Sequence, residues 1–394
     1  MTFVDRWLLP DGIEDILPER ARRIESMRRR LVDLYGRWGY ELVIPPLIEY
    51  TDSLLIGLGK DIELMTFKVT DQLSGRSMGI RADITPQTAR MDAHSLKRSG
   101  PSRLCYAGHV LHARPKSPLA TRSPIQVGVE LYGEAGIAAD EEVISLMLAS
   151  LQESGLQQLN IDLGHVGVYR SLSRAAGLNV IAEQELFDLL QAKAMADIRG
   201  WLSRNVNSAE LSAMLQELPQ LAGGREILAR ARQVLAAAPA DVMLALDTLE
   251  RVSATVAQRY PEANLYFDLS ELRGYHYHTG MVFAAFAPGY GGAIANGGRY
   301  DHVGEVFGNA RPATGFAIDV TALDGLSKRN GGASTGAIFV PAELVTDAWD
   351  VICGLRAEGE IVVCGFVGQS AGAANPVCDR ELCAGKNTFQ VRAL

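Results

Sequence analysis

The sequence predicts an α+β protein built on an antiparallel sheet that is flanked by helices. Strand-like and helix-like segments come in blocks, and turn residues join neighbouring strands as hairpins. A stretch rich in Ala, Leu, Glu and Gln interrupts the strands between residues 180 and 260 and indicates a helical insertion. Because strands and helices do not alternate regularly, a doubly wound parallel sheet is disfavoured.

Length, composition and charge are those of a globular protein. The chain has 394 residues, of which 47% are hydrophobic, and this is enough for two or three domains with buried cores. A formal net charge of −8 argues against broad nucleic-acid binding, because phosphate neutralisation needs a basic surface. The five cysteines include no CxxC pair, so we expect neither a metal site nor a disulfide framework. We also expect no cofactor, because the glycine-containing runs match neither a dinucleotide fingerprint nor a P-loop. No apolar run is long enough to cross a bilayer, so we expect a cytoplasmic protein without membrane contact.

The first part of the chain predicts a helix, a short strand and a hairpin. Apolar residues recur at helical spacing from Pro18 to Tyr35. A β-rich run over residues 41–48 contains Pro45 and Pro46, which lack a ladder donor and therefore belong at a strand end or an edge. Alternating polar and apolar residues over 67–80, with a central glycine, predict the hairpin.

The remaining elements follow from the same patterns. Before the insertion, the sequence predicts a helix over 85–96, strands over 103–111 and 125–132, and a helix over 140–154. After it, the sequence predicts strands over 263–269, 281–287 and 314–318, a linker over 328–336, and strands near 337–340 and 361–366. We therefore predict a core domain over residues 1–325 and a short C-terminal region over 326–394.

A carboxylate lies between a strand and a helix start in Arg81-Ala-Asp-Ile-Thr-Pro86. Asp83 or Thr85 could cap the helix by accepting a backbone N–H, which is the usual role of such residues. Asp83 could instead present its carboxylate to the ammonium group of a ligand. Both interpretations stay open at this point.

The strand Gln126-Val-Gly-Val-Glu130 has its polar residues on one face. Period-two alternation places Gln126, Gly128 and Glu130 together and the two valines on the opposite side. A glutamine and a glutamate around a glycine form a plausible floor for a small ligand with an amine or imidazole group. The alternative is the solvent-facing side of an antiparallel strand.

Two later segments also carry candidate groups. In Leu272-Arg-Gly-Tyr-His-Tyr-His-Thr-Gly280, His276 and His278 share a face if the backbone is extended, but no third ligand completes a metal site. A pocket lining is favoured, because the guanidinium of Arg273 pairs well with a carboxylate. The glycine-rich run over 289–301 fails the dinucleotide fingerprint at Ile294 and leaves either a ligand cradle or a tight hairpin.

Read in order, these motifs resemble histidyl-tRNA synthetase, a class II synthetase, over nearly all of residues 5–325. The opening over 10–18 is similar to that family's opening, and residues 39–49 look like motif 1, the dimerisation element. The segment 81–85 stands where the synthetase has Arg-Pro-Glu-x-Thr, and 126–130 matches its histidine-reading strand. The segment 272–274 heads its second histidine signature, and 297–301 with 315–318 lead into motif 3. The resemblance implies a class II synthetase-like fold, with the short tail as an α/β remnant truncated relative to an anticodon-binding domain.

The positions that handle ATP depart from the family. Where motif 2 has Phe-Arg-x-Glu, the arginine falls on Leu111 or His112 and the glutamate on Ala113 or Arg114. The motif 3 arginine is Ala322 here, and a nearby aspartate adds negative charge. Adenylate formation relies on preorganised cations, and losing one such donor typically costs roughly 3–4 kcal/mol. We therefore predict no synthetase chemistry and no catalytic residues.

A synthetase-like chain with these losses is similar to the regulatory subunits of ATP phosphoribosyltransferase. That resemblance implies a non-catalytic subunit that pairs with a short-form catalytic subunit for the first step of histidine biosynthesis and mediates feedback by histidine. It also implies a dimer through the motif 1 region and no tRNA binding. The implied histidine-binding residues are Asp83, Gln126, Glu130, Arg273 and Tyr277. The alternatives are a synthetase-like paralogue with another amino-acid-dependent activity, or an active histidyl-tRNA synthetase.

Overall fold

A computed structural model describes residues 8–55, 60–116, 120–272, 274–275, 277–327, 336–385 and 388–394. The chain divides into two compact units, Met1–Lys328 and Arg329–Leu394. Two positions that the sequence singled out, Arg273 and His276, lie outside the described residues, as does most of the predicted linker.

The first unit contains twelve described helices and twelve described strands. The helices are α1 (Pro18–Arg37), α2 (Thr51–Leu54), α3 (Lys60–Met65), α4 (Thr85–Arg90), α5 (Ile137–Glu153), α6 (Val166–Ala175), α7 (Val180–Gln191), α8 (Met195–Asn205), α9 (Ala209–Glu217), α10 (Glu226–Val234), α11 (Ala240–Arg259) and α12 (Val320–Asp324). The strands are β1 (Glu41–Leu42), β2 (Ile48–Tyr50), β3 (Phe67–Thr70), β4 (Ser77–Ile80), β5 (Ser102–His109), β6 (Ile125–Tyr132), β7 (Asn160–His165), β8 (Ala222–Gly223), β9 (Asn264–Asp268), β10 (Met281–Phe286), β11 (Ala295–Arg299) and β12 (Ala313–Asp319).

Nine of these strands form one large sheet in the order β1-β5-β6-β12-β11-β10-β7-β9-β8. Its pairs are antiparallel except β1–β5 and β7–β9. The hairpin β3–β4 joins β2 in a separate three-stranded sheet. The α+β class with an antiparallel-rich sheet and a helical insertion, now α7 to α11, is therefore confirmed.

The structure adds elements that the sequence did not indicate, among them β7 and α6, and it refines two of the predicted segments. The β-rich run over 41–48 is not one strand, because β1 joins the large sheet, β2 joins the small one, and the two prolines lie between them. The glycine-rich segment over 289–301 contributes the connection and the second strand, β11, of an antiparallel hairpin with β10, so the hairpin interpretation is correct, and β11 is the central strand of the large sheet. A side chain at Gly297 would overlap Phe283 of the neighbouring strand, so only glycine allows the strands to pack this closely.

One face of the large sheet is buried beneath α1, α5 and α12. Leu31 and Tyr35 of α1 pack with the apolar face of β6, including Val127 and Val129, and all four are fully buried. Because successive strand residues point to opposite faces, this core directs the polar residues of β6 to the other side of the sheet. The core therefore determines where a ligand site can form.

The second unit is a small α/β unit. It consists of β13 (Ala337–Val340), α13 (Trp349–Ala357), β14 (Val362–Cys364), β15 (Cys378–Ala384) and β16 (Phe389–Ala393). The strand order is β14-β13-β15-β16, with an antiparallel pair only at β15–β16. Its truncation relative to an anticodon-binding domain stays a prediction. Among the helices of the described residues, none is both long and apolar enough to span a bilayer.

Candidate functional site

Two of the predicted site residues are in direct contact. The Nε2 of Gln126 on β6 donates to Oδ1 of Asp83 at 2.9 Å. The Oε1 of Gln126 accepts from the backbone N–H of Ile84 at 3.1 Å. Because both ends of its amide are engaged, Gln126 holds the start of α4, and Asp83 with it, against the polar face of β6.

Asp83 combines features of both sequence-based interpretations. Its Oδ1 accepts from the backbone N–H of Thr85 at 3.3 Å, so the carboxylate does support the first turn of α4. The N-cap position itself is Ile84, which offers no capping side chain. The same Oδ1 binds Gln126, so the carboxylate is oriented by two groups and its orientation is set before any ligand arrives.

Glu130 is buried, so the solvent-facing interpretation of this strand is wrong. Its side chain is only 1% exposed. The hydroxyl of Tyr106 donates to Oε1 at 3.2 Å, and the hydroxyl of Tyr300 donates to Oε2. Tyr106 on the neighbouring strand β5 and Tyr300, which directly follows β11, therefore satisfy a carboxyl group that is removed from water.

Two glycines provide the space for this arrangement. Gly315 lies directly opposite Glu130 on β12, and a Cβ there would overlap the Glu130 carboxylate. At Gly128 a Cβ would stand 2.5 Å from the hydroxyl oxygen of Tyr106. The glycine predicted to leave a gap for a ligand thus accommodates the tyrosine that binds Glu130.

Tyr277 closes this cluster from the loop between β9 and β10. Its ring lies 4.9 Å from the ring of Tyr300, centroid to centroid. Its hydroxyl is buried and has no hydrogen-bond partner among the described residues. Burial, together with the negative charge of Glu130, raises the pKa of Tyr277 well above its usual value. The hydroxyl is therefore a neutral group available to a polar ligand.

His278 fills space beside the site and carries no charge there. Its Nδ1 lies 3.3 Å from the carbonyl oxygen of Arg299, and a Cβ at Gly298 would stand 2.8 Å from its ring. Burial lowers the pKa of His278 to about 4, so the ring is neutral near pH 7. No group of three metal-ligating side chains occurs within the described ranges.

Burial raises the pKa of Glu130 to about 8, although hydrogen bonds from Tyr300 and Thr85 oppose the shift. Between the unfolded-state pKa of 4.5 and this value, the folded protein holds a proton that the unfolded chain releases. The protonated Glu130 therefore contributes its full stabilisation of the folded state below pH 4.5. This contribution falls by about 1.4 kcal/mol per pH unit as the pH rises from there, and it is lost once the pH has passed the folded-state pKa of about 8.

We therefore expect Glu130→Gln to gain stability relative to the wild type as the pH rises from 5 to 8. The amide keeps the shape of the protonated carboxyl and does not ionise. The check is the free energy of unfolding at several pH values, with the exposed Glu210→Gln as the control that should track the wild type. Parallel pH profiles for wild type and Glu130→Gln would contradict the prediction.

The positions that would bind ATP in a synthetase have other roles. His112 is 2% exposed, and its Nε2 lies 3.1 Å from the carbonyl oxygen of Ala82. Burial lowers the pKa of His112 to about 4, so it supplies no positive charge near pH 7. Leu111 donates its backbone N–H to the carbonyl of Arg81 at 3.0 Å, and the cationic Arg114 is exposed.

The motif 3 region is equally unsuited to phosphate binding. Ala322 lies in α12, and Asp319 caps that helix by accepting from the N–H groups of Thr321 at 2.9 Å and Ala322 at 3.1 Å. Burial raises the pKa of Asp319. The aspartate predicted to oppose a triphosphate therefore has a structural role as well.

Sequence reasoning missed the two tyrosines that bind Glu130. Tyr300 lies in the glycine-rich segment that was considered only as backbone, and Tyr106 lies in a strand with no polar motif. Residues 104, 106 and 108 alternate onto the face of Glu130 once β5 and β6 are paired in register. The tyrosines could not be assigned to the site from the sequence, because alternation of residues along a strand does not show which strands are neighbours in the sheet.

Comparison with known proteins shows the family. A model of histidyl-tRNA synthetase matches residues 12–323, and a model of the ATP phosphoribosyltransferase subunit HisZ C-terminal domain matches residues 335–392. An ATP phosphoribosyltransferase regulatory subunit from Cellvibrio japonicus is 59% identical over 391 residues, covering 99% of this chain and 98% of its own length. One from Pseudomonas aeruginosa is 54% identical over 395 residues, covering both chains fully.

This chain belongs to the ATP phosphoribosyltransferase regulatory subunit family. The family assignment confirms a regulatory, non-catalytic subunit in histidine biosynthesis. The solved structure of an ATP phosphoribosyltransferase regulatory subunit/histidyl-tRNA synthetase from Bacillus halodurans has a TM-score of 0.81 and 28% identity, covering 92% of this chain and 94% of its own. A histidyl-tRNA synthetase from a Nostoc species has a TM-score of 0.76 at 18% identity, covering 96% and 91%, and shares the fold. The class II synthetase-like fold is thereby confirmed.

Proposed function

We propose that this regulatory subunit binds free histidine at Asp83, Gln126, Glu130, Arg273 and Tyr277 and mediates feedback on a short-form catalytic ATP phosphoribosyltransferase. The observation that carries the proposal is an asymmetry. The described groups that suit an amino acid are oriented by hydrogen bonds and are buried or half-buried, whereas the positions of the two ATP arginines hold neutral side chains with structural contacts. A site of this kind can hold an amino acid without activating it.

The chemistry of the site fits the groups of histidine. Asp83 offers a carboxylate, already oriented by Gln126, to the α-ammonium group. Glu130, which keeps its proton near pH 7, and the hydroxyl of Tyr277 offer neutral polar groups to the imidazole. We assign Arg273 to the α-carboxylate by its resemblance to the synthetase motif. Charge and hydrogen-bonding groups then match at both ends of the ligand.

The proposed partner is a catalytic subunit, with no role for tRNA. The relatives are named as regulatory subunits of ATP phosphoribosyltransferase, and a regulatory subunit requires a catalytic one. The net charge of −8 offers little attraction to a polyanion. Feedback requires histidine to bind two states of the assembly with different affinities.

The test is a calorimetric titration of histidine into the complex with a short-form catalytic subunit, together with an activity assay. We expect saturable binding and inhibition with the wild type, and a dissociation constant about tenfold or more higher for Asp83→Asn, because a charge-assisted contact is lost. The control is Asp52→Asn, whose side chain is 86% exposed.

Absence of histidine binding to the wild-type complex would overturn the sensing role. Failure of the chain to co-purify with the catalytic subunit, or to activate it, would overturn the proposed partnership. Histidine-dependent exchange of pyrophosphate into ATP would instead support an active synthetase, which the neutral His112 and Ala322 disfavour.

We further propose that two copies associate through the motif 1 region. Leu42, Ile44, Leu47 and Ile48 are 47%, 83%, 49% and 38% exposed, which is unusual for four large apolar residues so close in sequence. Burying such a surface against a second copy removes it from water.

The self-association test compares sedimentation of the wild type with Ile44→Asp. We expect the charged variant to shift toward the monomer, since its carboxylate would be buried without a partner. Val180→Asp, at a position that is 80% exposed and far from this segment in sequence, is the matched control. Equal sedimentation of wild type and Ile44→Asp would argue against the interface.

A further inference from the structure

The loop between β9 and β10, here called the pocket loop (residues 269–280), carries Tyr277 and is attached to α6. One terminal nitrogen of Arg170, Nη2, donates to the carbonyl oxygens of Tyr275 at 3.0 Å and His278 at 3.1 Å. These two carbonyls flank Tyr277 in the chain. A single guanidinium therefore fixes the backbone on both sides of the residue that closes the site.

Arg170 also stacks on the pocket loop. Its guanidinium carbon lies 4.9 Å from the ring centroid of Tyr275. The contacts combine a planar cation, two carbonyls and an aromatic face, an arrangement for which lysine is a poor substitute. Among the described residues of the loop, the N–H groups of Tyr277 and His278 donate to the carbonyl of Gly274, each at 2.8 Å, and that of Tyr275 donates to the carbonyl of Leu272 at 2.9 Å.

The helical insertion holds the same loop from α7. The hydroxyl of Tyr275 donates to Oε1 of Glu183, and the Tyr275 ring packs 5.4 Å from that of Phe187. Farther along α7, Gln191 donates to the carbonyl of Ser270 at 3.0 Å. Tyr275 is 5% exposed, and its ring also packs 5.3 Å from that of Tyr169 on α6, so the side chain anchors the loop to both helices.

We infer that Arg170 is a positioning residue of the histidine site, acting with Glu183 to hold the pocket loop so that Tyr277 lies over Tyr300. The helical insertion is then part of the sensor and not a spacer between strands. This inference rests on the proposed function, because it concerns the same site. It also gives a physical route by which occupancy of the site reaches α6 and α7, since both helices bond the loop directly.

The test compares Arg170→Met, Arg170→Lys and Tyr275→Phe in the full chain bound to the catalytic subunit. Three quantities are measured: histidine affinity by calorimetry, thermal unfolding, and hydrogen exchange of peptides covering 269–280. Arg174→Met is the matched control, because Arg174 lies one turn later on α6 and is exposed.

We expect Arg170→Met to raise the histidine dissociation constant by about tenfold or more. Exchange should accelerate in the pocket loop and stay unchanged in the sheet. Arg170→Lys should restore part of the affinity, and Tyr275→Phe should lose affinity while keeping the aromatic packing. Arg174→Met should match the wild type in every measurement.

The outcomes separate this inference from the function on which it rests. Absence of histidine binding to the wild-type complex would overturn the proposed function. Independently of that result, hydrogen exchange of the pocket loop that is as slow in Arg170→Met as in the wild type would overturn the inference. If the wild type binds histidine and Arg170→Met and Tyr275→Phe bind it equally well, Arg170 does not position the site. Exchange that accelerates throughout the core in both variants would show a general structural role and would likewise overturn the inference.

Discussion

Gly315→Ala is expected to abolish histidine binding and to destabilise the core domain by about 3 kcal/mol or more, because overpacking in a central strand cannot relax. A Cβ at this position would overlap the carboxylate of Glu130 and stand 2.5 Å from the carbonyl oxygen of Val129. Glu130 cannot move aside without losing the hydroxyls of Tyr106 and Tyr300. Chemical denaturation and histidine calorimetry measure the two effects.

Gly325→Ala is the matched control for this substitution. Its nearest neighbour would be the carbonyl oxygen of Ala322 at 3.8 Å, which is ordinary van der Waals contact. We expect a change in unfolding free energy within about 0.5 kcal/mol, as for other unconstrained positions. Histidine binding by Gly315→Ala with the affinity of the wild type would contradict the close packing of Gly315 against Glu130.

Arg81→Met is expected to lower the free energy of unfolding by about 3–5 kcal/mol, because two short hydrogen bonds from a buried cation to backbone carbonyls are lost. The side chain is 6% exposed, and it donates to the carbonyls of His109 at 2.8 Å and Pro45 at 2.8 Å. Its Nη1 also approaches Oε1 of Gln87 at 3.3 Å. Methionine fills the space but leaves these carbonyls without a donor.

Arg81→Met should also loosen the motif 1 region, residues 39–49. Gln87 donates to Pro46 at 2.7 Å and to Glu49 at 2.8 Å, so Arg81 and Gln87 together hold the segment that carries the exposed apolar residues. Arg29→Met, whose side chain is 73% exposed, is the control and should change stability little. Equal denaturation midpoints for the two variants would contradict the prediction.

The sequence placed Asp83 and Gln126 in one site through the family resemblance, because each belongs to a motif with a characteristic order along the chain. The hydrogen bond between them is a finding of the structure. The burial of Glu130 was not accessible. Period-two alternation placed Gln126 and Glu130 on one face of the strand, but it left open whether that face meets solvent or protein. The answer depends on Tyr106 and Tyr300, which lie 24 and 170 residues away in sequence.

The roles of Arg81 and Arg170 were likewise invisible in the sequence. Arg81 stands in a motif that suggested ligand chemistry, yet its contacts are with the carbonyls of residues 45, 46 and 109. Arg170 has no motif at all, and it bonds a loop more than 100 residues further along the chain. Backbone carbonyls carry no sequence signature, so a side chain that binds them is found only when the chain is folded.

By itself the sequence determined the α+β class, the helical insertion, the loss of the ATP arginines and the resemblance to histidyl-tRNA synthetase. These follow from periodicity and from residue types at ordered positions, which are local properties of a chain. The tertiary structure alone decided that Glu130 is buried and carries a raised pKa, that Gly315 makes room for it, and that Arg170 holds the pocket loop. Each of these depends on strand register or on packing between distant segments, because desolvation and close approach are properties of neighbours in space.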